Sequence, residues 1–331
     1  MVASVWSASG REHPLANFYY LDDPDAEQSL RRNSSQIDLL SPAWFTVGTD
    51  GRLRTDMDEN VLKWAAEKKI ALAPLVANKD FRPDVVRKVV DDEALQKTLI
   101  SKLLELSATY HLAGIQLDIE EVPPDERDRF TRFVQKVSLA FRAQHLQLSL
   151  AAPPPIAPAW DPVAPGSSPW IPNDHAAGFD FARLAEAVDF ISLMTYDEYT
   201  RDPGPVAGLP WMDASVAKTL DWVPAGKLLL GIPLYYTMWA GKKVTNGPYS
   251  EAAKLAADQH ASVKLDPAEM QKTFHFSAKG ILHTIWFSDA VTLRAQLALV
   301  EKYKLRGYAA WRLGQEDPAA WQKVFSGFQR K

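Results

Sequence analysis

The chain has no cysteine among its 331 residues. Disulfides, thiolate metal sites and cysteine nucleophiles are thereby excluded. Its charge is nearly balanced, 37 basic against 41 acidic side chains for a formal net charge of −4. Nothing in that balance favours nucleic acid or an anionic membrane as a partner. No long apolar run is present either: "KLLLGIPLYYTMW" (227–239) is too short to span a bilayer and contains a proline. Residues 1–14, "MVASVWSASGREHP", lack a basic start followed by an apolar stretch, so they do not read as a signal peptide. The seven histidines are scattered without HExxH spacing, and there is no GxSxG elbow, Walker loop or glycine-rich loop after an early strand. Metal, serine-triad and nucleotide chemistry are left without support; no cofactor and no metal are expected.

Aromatic residues are plentiful, with 11 Trp, 10 Tyr and 14 Phe. Packing accounts for such a content. A carbohydrate cleft does too, because sugar rings present apolar C–H faces to aromatic planes.

Eight short apolar runs read as strands: 15–21, 37–41, 70–76, 114–120, 146–152, 190–196, 228–235 and 307–313. Most are apolar almost throughout, as strands covered on both faces should be. Between them lie helical patterns over 58–69, 93–110, 125–144 and 288–304, with Asp125 placed to cap the third directly after a double proline. This alternation predicts an α/β fold, a (β/α)8 TIM barrel formed by the whole chain, 1–331, as one unit. A doubly wound open sheet competes but lacks its phosphate loop. Residues 237–287 break the rhythm with a helix and two or three short strands, and read as a small α+β insertion after strand seven, too small to be stable alone. The Pro/Ala-rich 151–172 reads as a long, stiff loop.

Barrel enzymes work at the C-terminal ends of their strands. Those ends carry Asn78 on strand three, Asp118 and Glu120 on strand four, Tyr196 and Asp197 on strand six, and Trp311 on strand eight. In "AGIQLDIEEVPP" (113–124), Gln116, Asp118 and Glu120 alternate with Ile115, Leu117 and Ile119. The polar set therefore shares one side, facing the barrel interior. Two carboxyl groups held close do not both ionise readily, and one that keeps its proton near neutrality suits general-acid catalysis. Glu121, Asp125 and Glu126 fit a solvated acidic loop instead. "MTYDEY" and Trp311, taken alone, are equally compatible with packing.

As a set, these residues resemble glycoside hydrolase family 18. "AGIQLDIEE" is similar to its strand-four signature DGxDxDxE, with Asp118 at the third Asp and Glu120 at the terminal Glu. "LMTYD" resembles the family's M-x-Y-D motif on strand six, and Trp311 falls at its strand-eight tryptophan. "LLSPAWFTVGTDGRL", "PLVAN", "TYDEYTRDPGPVAG" and "GYAAWRLGQEDPAAW" resemble the branch of spore-cortex and cell-wall glycosidases, and of hydrolase modules joined to polysaccharide deacetylase and glycosyltransferase domains.

The resemblance implies cleavage of β-linked N-acetylglucosamine-containing glycans (peptidoglycan, chitin-like or poly-N-acetylglucosamine) by a substrate-assisted, retaining mechanism, an exception to the two-carboxylate scheme. It assigns Glu120 as the acid, Asp118 and Tyr196 as partners of the acetamido group, and Asp197 and Trp311 to the sugar being cut; Met194, Gln116 and Asn78 beside them complete the expected substrate-binding set. The first two motif acids are replaced by Ala113 and Gln116, and Gln cannot take up charge. That departure motivates the alternative: a weakly active or non-catalytic N-acetylglucosamine-glycan-binding module accessory to polysaccharide synthesis. A monomer acting outside the cytoplasm, with its signal or anchor outside this chain, is expected; the cytoplasm is the other possibility.

Overall fold

The computed structural model describes residues 13–158, 170–199 and 202–328. Eight parallel strand positions form the barrel. They are β1 (Leu15–Tyr20), β2 (Leu39–Pro42), β3 (Ala71–Leu72 continued by Leu75–Asn78), β4 (Gly114–Asp118), β5 (Gln147–Ala152), β6 (Phe190–Leu193), β7 (Leu228–Pro233) and, last in the chain, β13 (Gly307–Trp311). Strand β1 pairs with β2 on one side and β13 on the other, and β13 pairs with β7. The ring closes through β3, whose first half pairs with β2 and whose second half pairs with β4. Its interruption falls at Pro74, which has no N–H to give the ladder. The backbone bonds still span the gap: Ala73 N donates to Leu40 O at 3.0 Å and Gln116 N to Pro74 O at 3.0 Å. Strand four can lie against strand five because Gly114 has no side chain; a Cβ there would stand 2.1 Å from the Gln147 carbonyl oxygen.

The helices cover the outside. Asp58, Asp92 and Asp289 cap α2 (Glu59–Lys68), α4 (Glu93–Thr109) and α9 (Ala290–Tyr303) with side-chain acceptors. Helix α5 (Arg127–Arg142) buries Phe130, Phe133, Val134, Val137 and Phe141, one face at helical spacing. Asp125 does not cap it. Residues Pro124–Glu126 form a 3-10 turn first, and the Asp125 carboxylate accepts two bonds from Arg87 of α3 (Pro83–Asp91) at 2.8 Å each.

Two sets of side chains fill the molecule. Tyr19, Leu39, Leu75, Phe190, Leu229 and Ala309 pack inside the ring, whereas Ile115, Leu117 and Ile119 belong to the layer between sheet and helices. The alternation along strand four is thus realised.

Beyond β7 the chain leaves the barrel. Strands β8 (Tyr235–Ala240), β9 (Lys243–Pro248), β10 (Lys264–Asp266), β11 (Gln271–Ala278) and β12 (Ile281–Phe287) make an antiparallel sheet in the order β9-β8-β12-β11-β10, with α8 (Tyr249–Asp258) packed against it. The apolar run 228–235 is therefore shared between two sheets, and a β8–β9 hairpin precedes the helix. In the Pro/Ala-rich stretch, Ile156–Pro158 pairs antiparallel with Trp170–Pro172, and 159–169 lie outside the described residues. Among the described residues no helix is long and apolar enough to cross a membrane.

Candidate active site

A cleft of about 450 Å³ opens at the C-terminal ends of the barrel strands. Asp118, Glu120, Met194, Tyr196, Asp197 and Trp311 all line it. Strand β4 ends at Asp118, whose side chain is 6% exposed; Glu120, two residues on, is half-buried. Strand β13 ends at Trp311, across the ring from β4. Tyr19 of β1 and Tyr196 flank that indole, with ring centroids 5.2 and 6.5 Å away. An aromatic floor thus faces a carboxyl wall.

Two expected substrate contacts do not reach the cleft. Gln116 is fully buried one step deeper along β4. Its Oε1 accepts from the Tyr19 hydroxyl at 2.8 Å, and its Nε2 donates to Ser149 Oγ at 3.2 Å and Ser192 Oγ at 3.0 Å. A strand advances about 3.3 Å per residue, so a residue two positions back sits a full layer beneath the mouth. Asn78, also buried, holds the backbone beneath the acid. Its Oδ1 accepts from Glu120 N at 2.9 Å, and its Nδ2 donates to Glu120 O at 3.1 Å. Ala113 precedes β4 at the other end of the strand, roughly 17 Å from Asp118 at that rise. Its lost carboxylate cannot act on the mouth directly.

Among the described residues, none hydrogen-bonds the carboxylate of Asp118 or of Glu120. Burial pushes Asp118 up to about 6. Glu120 is pushed up to about 8, first by burial and then by the negative charges of Asp118, Glu121 and Asp197. Glu120 accordingly keeps its proton after Asp118 has ionised. Tyr196 is held well above the usual tyrosine range, chiefly by burial, and remains a hydroxyl donor. Asp197 has a left-handed backbone, φ 56°, and accepts a 2.5 Å bond from the Tyr235 hydroxyl. Although solvent reaches it through the cleft, desolvation by the surrounding walls still raises it, against the lowering effect of that bond.

Other residues at or behind the cleft carry no such signal in the sequence. Tyr235, buried behind Asp197, lies just past the end of β7. Glu198, next to Asp197, is buried and accepts from Gly208 N at 2.6 Å. Glu121 is exposed, as expected of a loop acid, and it also stands on the cleft rim and pairs with His175 at 2.7 Å. The loop after β6 is gripped from the five-stranded sheet. Gln271 Oε1 accepts from Val206 N and Ala207 N at 2.6 and 3.4 Å, and Leu209 N donates to Glu269 O at 3.0 Å.

A closed parallel barrel, an acid that stays protonated near neutrality, a second buried carboxylate and an aromatic floor together define a barrel glycosidase. The chain belongs to glycosyl hydrolases family 18, whose family model matches residues 75–316. A Bacillus subtilis glycosylase, YvbX, is 25% identical over 320 residues, covering 93% of this chain and 90% of its own. The cortical fragment-lytic enzyme of B. subtilis is 25% identical, covering 89% of this chain and 69% of its own. Among solved structures, a chitinase from Chromobacterium violaceum superposes with a TM-score of 0.85 at 26% identity, over 96% of this chain and 100% of its own. A class V chitinase from Nicotiana tobaccum in complex with NAG4 shares the fold at 14% identity, with a TM-score of 0.76 over 96% of this chain and 99% of its own.

Proposed function

We propose that the protein hydrolyses β-linked N-acetylglucosamine-containing glycans with retention, the substrate's own acetamido group serving as nucleophile. The observation that carries this reading is Asp118: a buried carboxylate that none of the described residues hydrogen-bonds, lining the cleft with Glu120. A group so desolvated needs a partner, and an acetamido N–H supplies one.

In the first step Glu120 gives its proton to the glycosidic oxygen as the C1–O bond breaks. The acetamido oxygen bonds to C1 from the opposite face, forming an oxazolinium ion. Asp118 accepts the acetamido N–H and balances the positive charge. The Tyr196 hydroxyl donates to the acetamido oxygen, and Trp311 carries the apolar face of the sugar. In the second step water attacks C1, the Glu120 carboxylate takes its proton, and the ring opens. Two inversions give retention. The names of the similar cell-wall and chitin enzymes support this substrate class and action outside the cytoplasm.

The test is hydrolysis of chitooligosaccharides followed by proton NMR of the first-formed anomer, beside the same chains fully de-N-acetylated. Release of the β-anomer from N-acetylated chains alone is expected. Inversion, or equal cleavage of chains with no acetamido group, would overturn the mechanism.

A further inference from the structure

Strand β4 ends at Asp118, and the β3–β4 ladder ends with it, at the pair Ala77–Asp118. Residues 119–123 belong to no helix or strand. Glu120 therefore stands beyond the last ladder pair of the barrel wall, on a turn that Glu121 bends with a left-handed backbone, φ 53°. The sheet fixes Asp118. Something else must fix Glu120.

Asn78, the last residue of β3, does so. Its side-chain amide carries a carbonyl acceptor and N–H donors, as a peptide unit does. Oδ1 accepts from Glu120 N at 2.9 Å and Nδ2 donates to Glu120 O at 3.1 Å, so the amide takes the place of a neighbouring strand where the ladder has stopped. Among the described residues these two are the hydrogen bonds of the Glu120 backbone. Nδ2 also donates to Arg82 O at 3.2 Å, which ties the turn to the residue that precedes α3. Asn78 is 2% exposed and stands against an apolar layer that includes Val47, Val76, Val85 and Ile119. An amide buried there is costly unless its bonds are made. Two of its three go to one residue, the acid.

A general acid must come within about 2.6–3.2 Å of the oxygen it protonates. A displacement of about 1 Å costs about 10²-fold in rate. No described residue hydrogen-bonds the Glu120 carboxyl, so the main chain is where this side chain is held. We propose that Asn78 is the positioning residue of the general acid: it holds the Glu120 main chain so that the carboxyl meets the glycosidic oxygen, and it serves the bond-breaking step without touching the sugar. This rests on the reading of Glu120 as the acid given above.

The test compares two substrates that differ in their need for the acid. Chitotetraose releases a sugar alkoxide unless its leaving oxygen is protonated. 4-Nitrophenyl chitobioside releases a nitro-stabilised phenolate, which departs with little proton help. For each, kcat/KM reports the bond-breaking step, and reading both on one sample of the full chain cancels the folded fraction. In Asn78→Ala, kcat/KM should fall about 10- to 100-fold on chitotetraose, the cost of a displaced acid, and by less than about threefold on the aryl glycoside. Asn78→Asp, of the same size, carries the same comparison should the alanine variant fail to fold: its carboxylate keeps the acceptor for Glu120 N and gives up the donors. Equal losses on the two substrates, or no loss on chitotetraose, would overturn the positioning role. Glu120→Gln, measured beside them, tests the reading beneath. It should spare the aryl glycoside too, and equal losses there would overturn Glu120 as the acid instead.

Discussion

Replacing Glu120 by Gln isolates proton transfer from binding. The substitution keeps size and hydrogen-bonding capacity, and it disturbs no side-chain partner, because none of the described residues bonds that carboxyl. The backbone beneath stays fixed by the two bonds from Asn78. General-acid catalysis contributes about 10²–10⁴-fold, or roughly 2.7–5.4 kcal/mol at 1.36 kcal/mol per tenfold. The expected result is a fall in kcat of that size with KM changed by less than about threefold. Measured against pH, the parent should need Asp118 ionised, above about 6, and Glu120 protonated, below about 8, giving a bell between the two. The variant has no acid to lose, so its residual rate should show no alkaline limb. The assay is initial-rate release of reducing ends from chitotetraose between pH 4 and 10. A variant within about tenfold of the parent, or one keeping the alkaline limb, would refute the assignment.

The same raised carboxyl affects stability. Glu120 binds its proton more tightly folded than unfolded, so its contribution is full at low pH and is lost as pH rises from the ordinary carboxylate range through about 8. Glu120→Gln should therefore melt like the parent at pH 4, and a few degrees higher at pH 9, by calorimetry, on the order of 2 kcal/mol of relieved burial. Tyr235→Phe removes the 2.5 Å bond to Asp197; kcat/KM should drop about tenfold, the worth of a hydrogen bond to a charged group, with the melting temperature little changed. Gln116→Leu takes from the buried Tyr19, Ser149 and Ser192 hydroxyls the amide that joins them, and denaturant titration should show a loss of about 2–4 kcal/mol. Gly114→Ala drives a Cβ to 2.1 Å from the Gln147 carbonyl, and soluble expression should fail because backbone, not a movable side chain, stands in the way.

The barrel and its mouth were legible because both rest on short-range rules. Alternation along Ile115–Glu120 fixes which side faces inward, and strand ends in a parallel barrel converge on one face. What escaped depends on depth and on distant loops. Whether Gln116 stands at the mouth or a layer below follows from where β4 stops, at Asp118, which the apolar run does not mark. Asn78 looks like any polar strand-end residue until its 42-residue reach to the Glu120 backbone is seen. Glu121 is exposed, as its charge run implies, but its pairing with His175, on a different loop, has no mark in the local sequence. Asp125 has an ideal cap position, yet Arg87 from another helix takes it. Tyr235 follows an apolar strand end with no acid or amide to mark it, and only its bond to Asp197 across the mouth shows its place.

The junction after β7 has a consequence for engineering. A single residue, the fully buried Leu234, separates the barrel from the five-stranded sheet, and its N–H donates to the Trp311 carbonyl at 2.7 Å. The sheet's first residue, Tyr235, then touches Asp197, and Gln271 farther along holds the backbone of the loop that follows it. There is no tether to cut. A chimera that exchanged this sheet for another protein's, to lengthen or deepen the groove, would retune the chemistry at strand six in the same operation. Graft boundaries that carry Tyr235, Gln271 and the 197–208 loop together are the ones that should yield working hybrids.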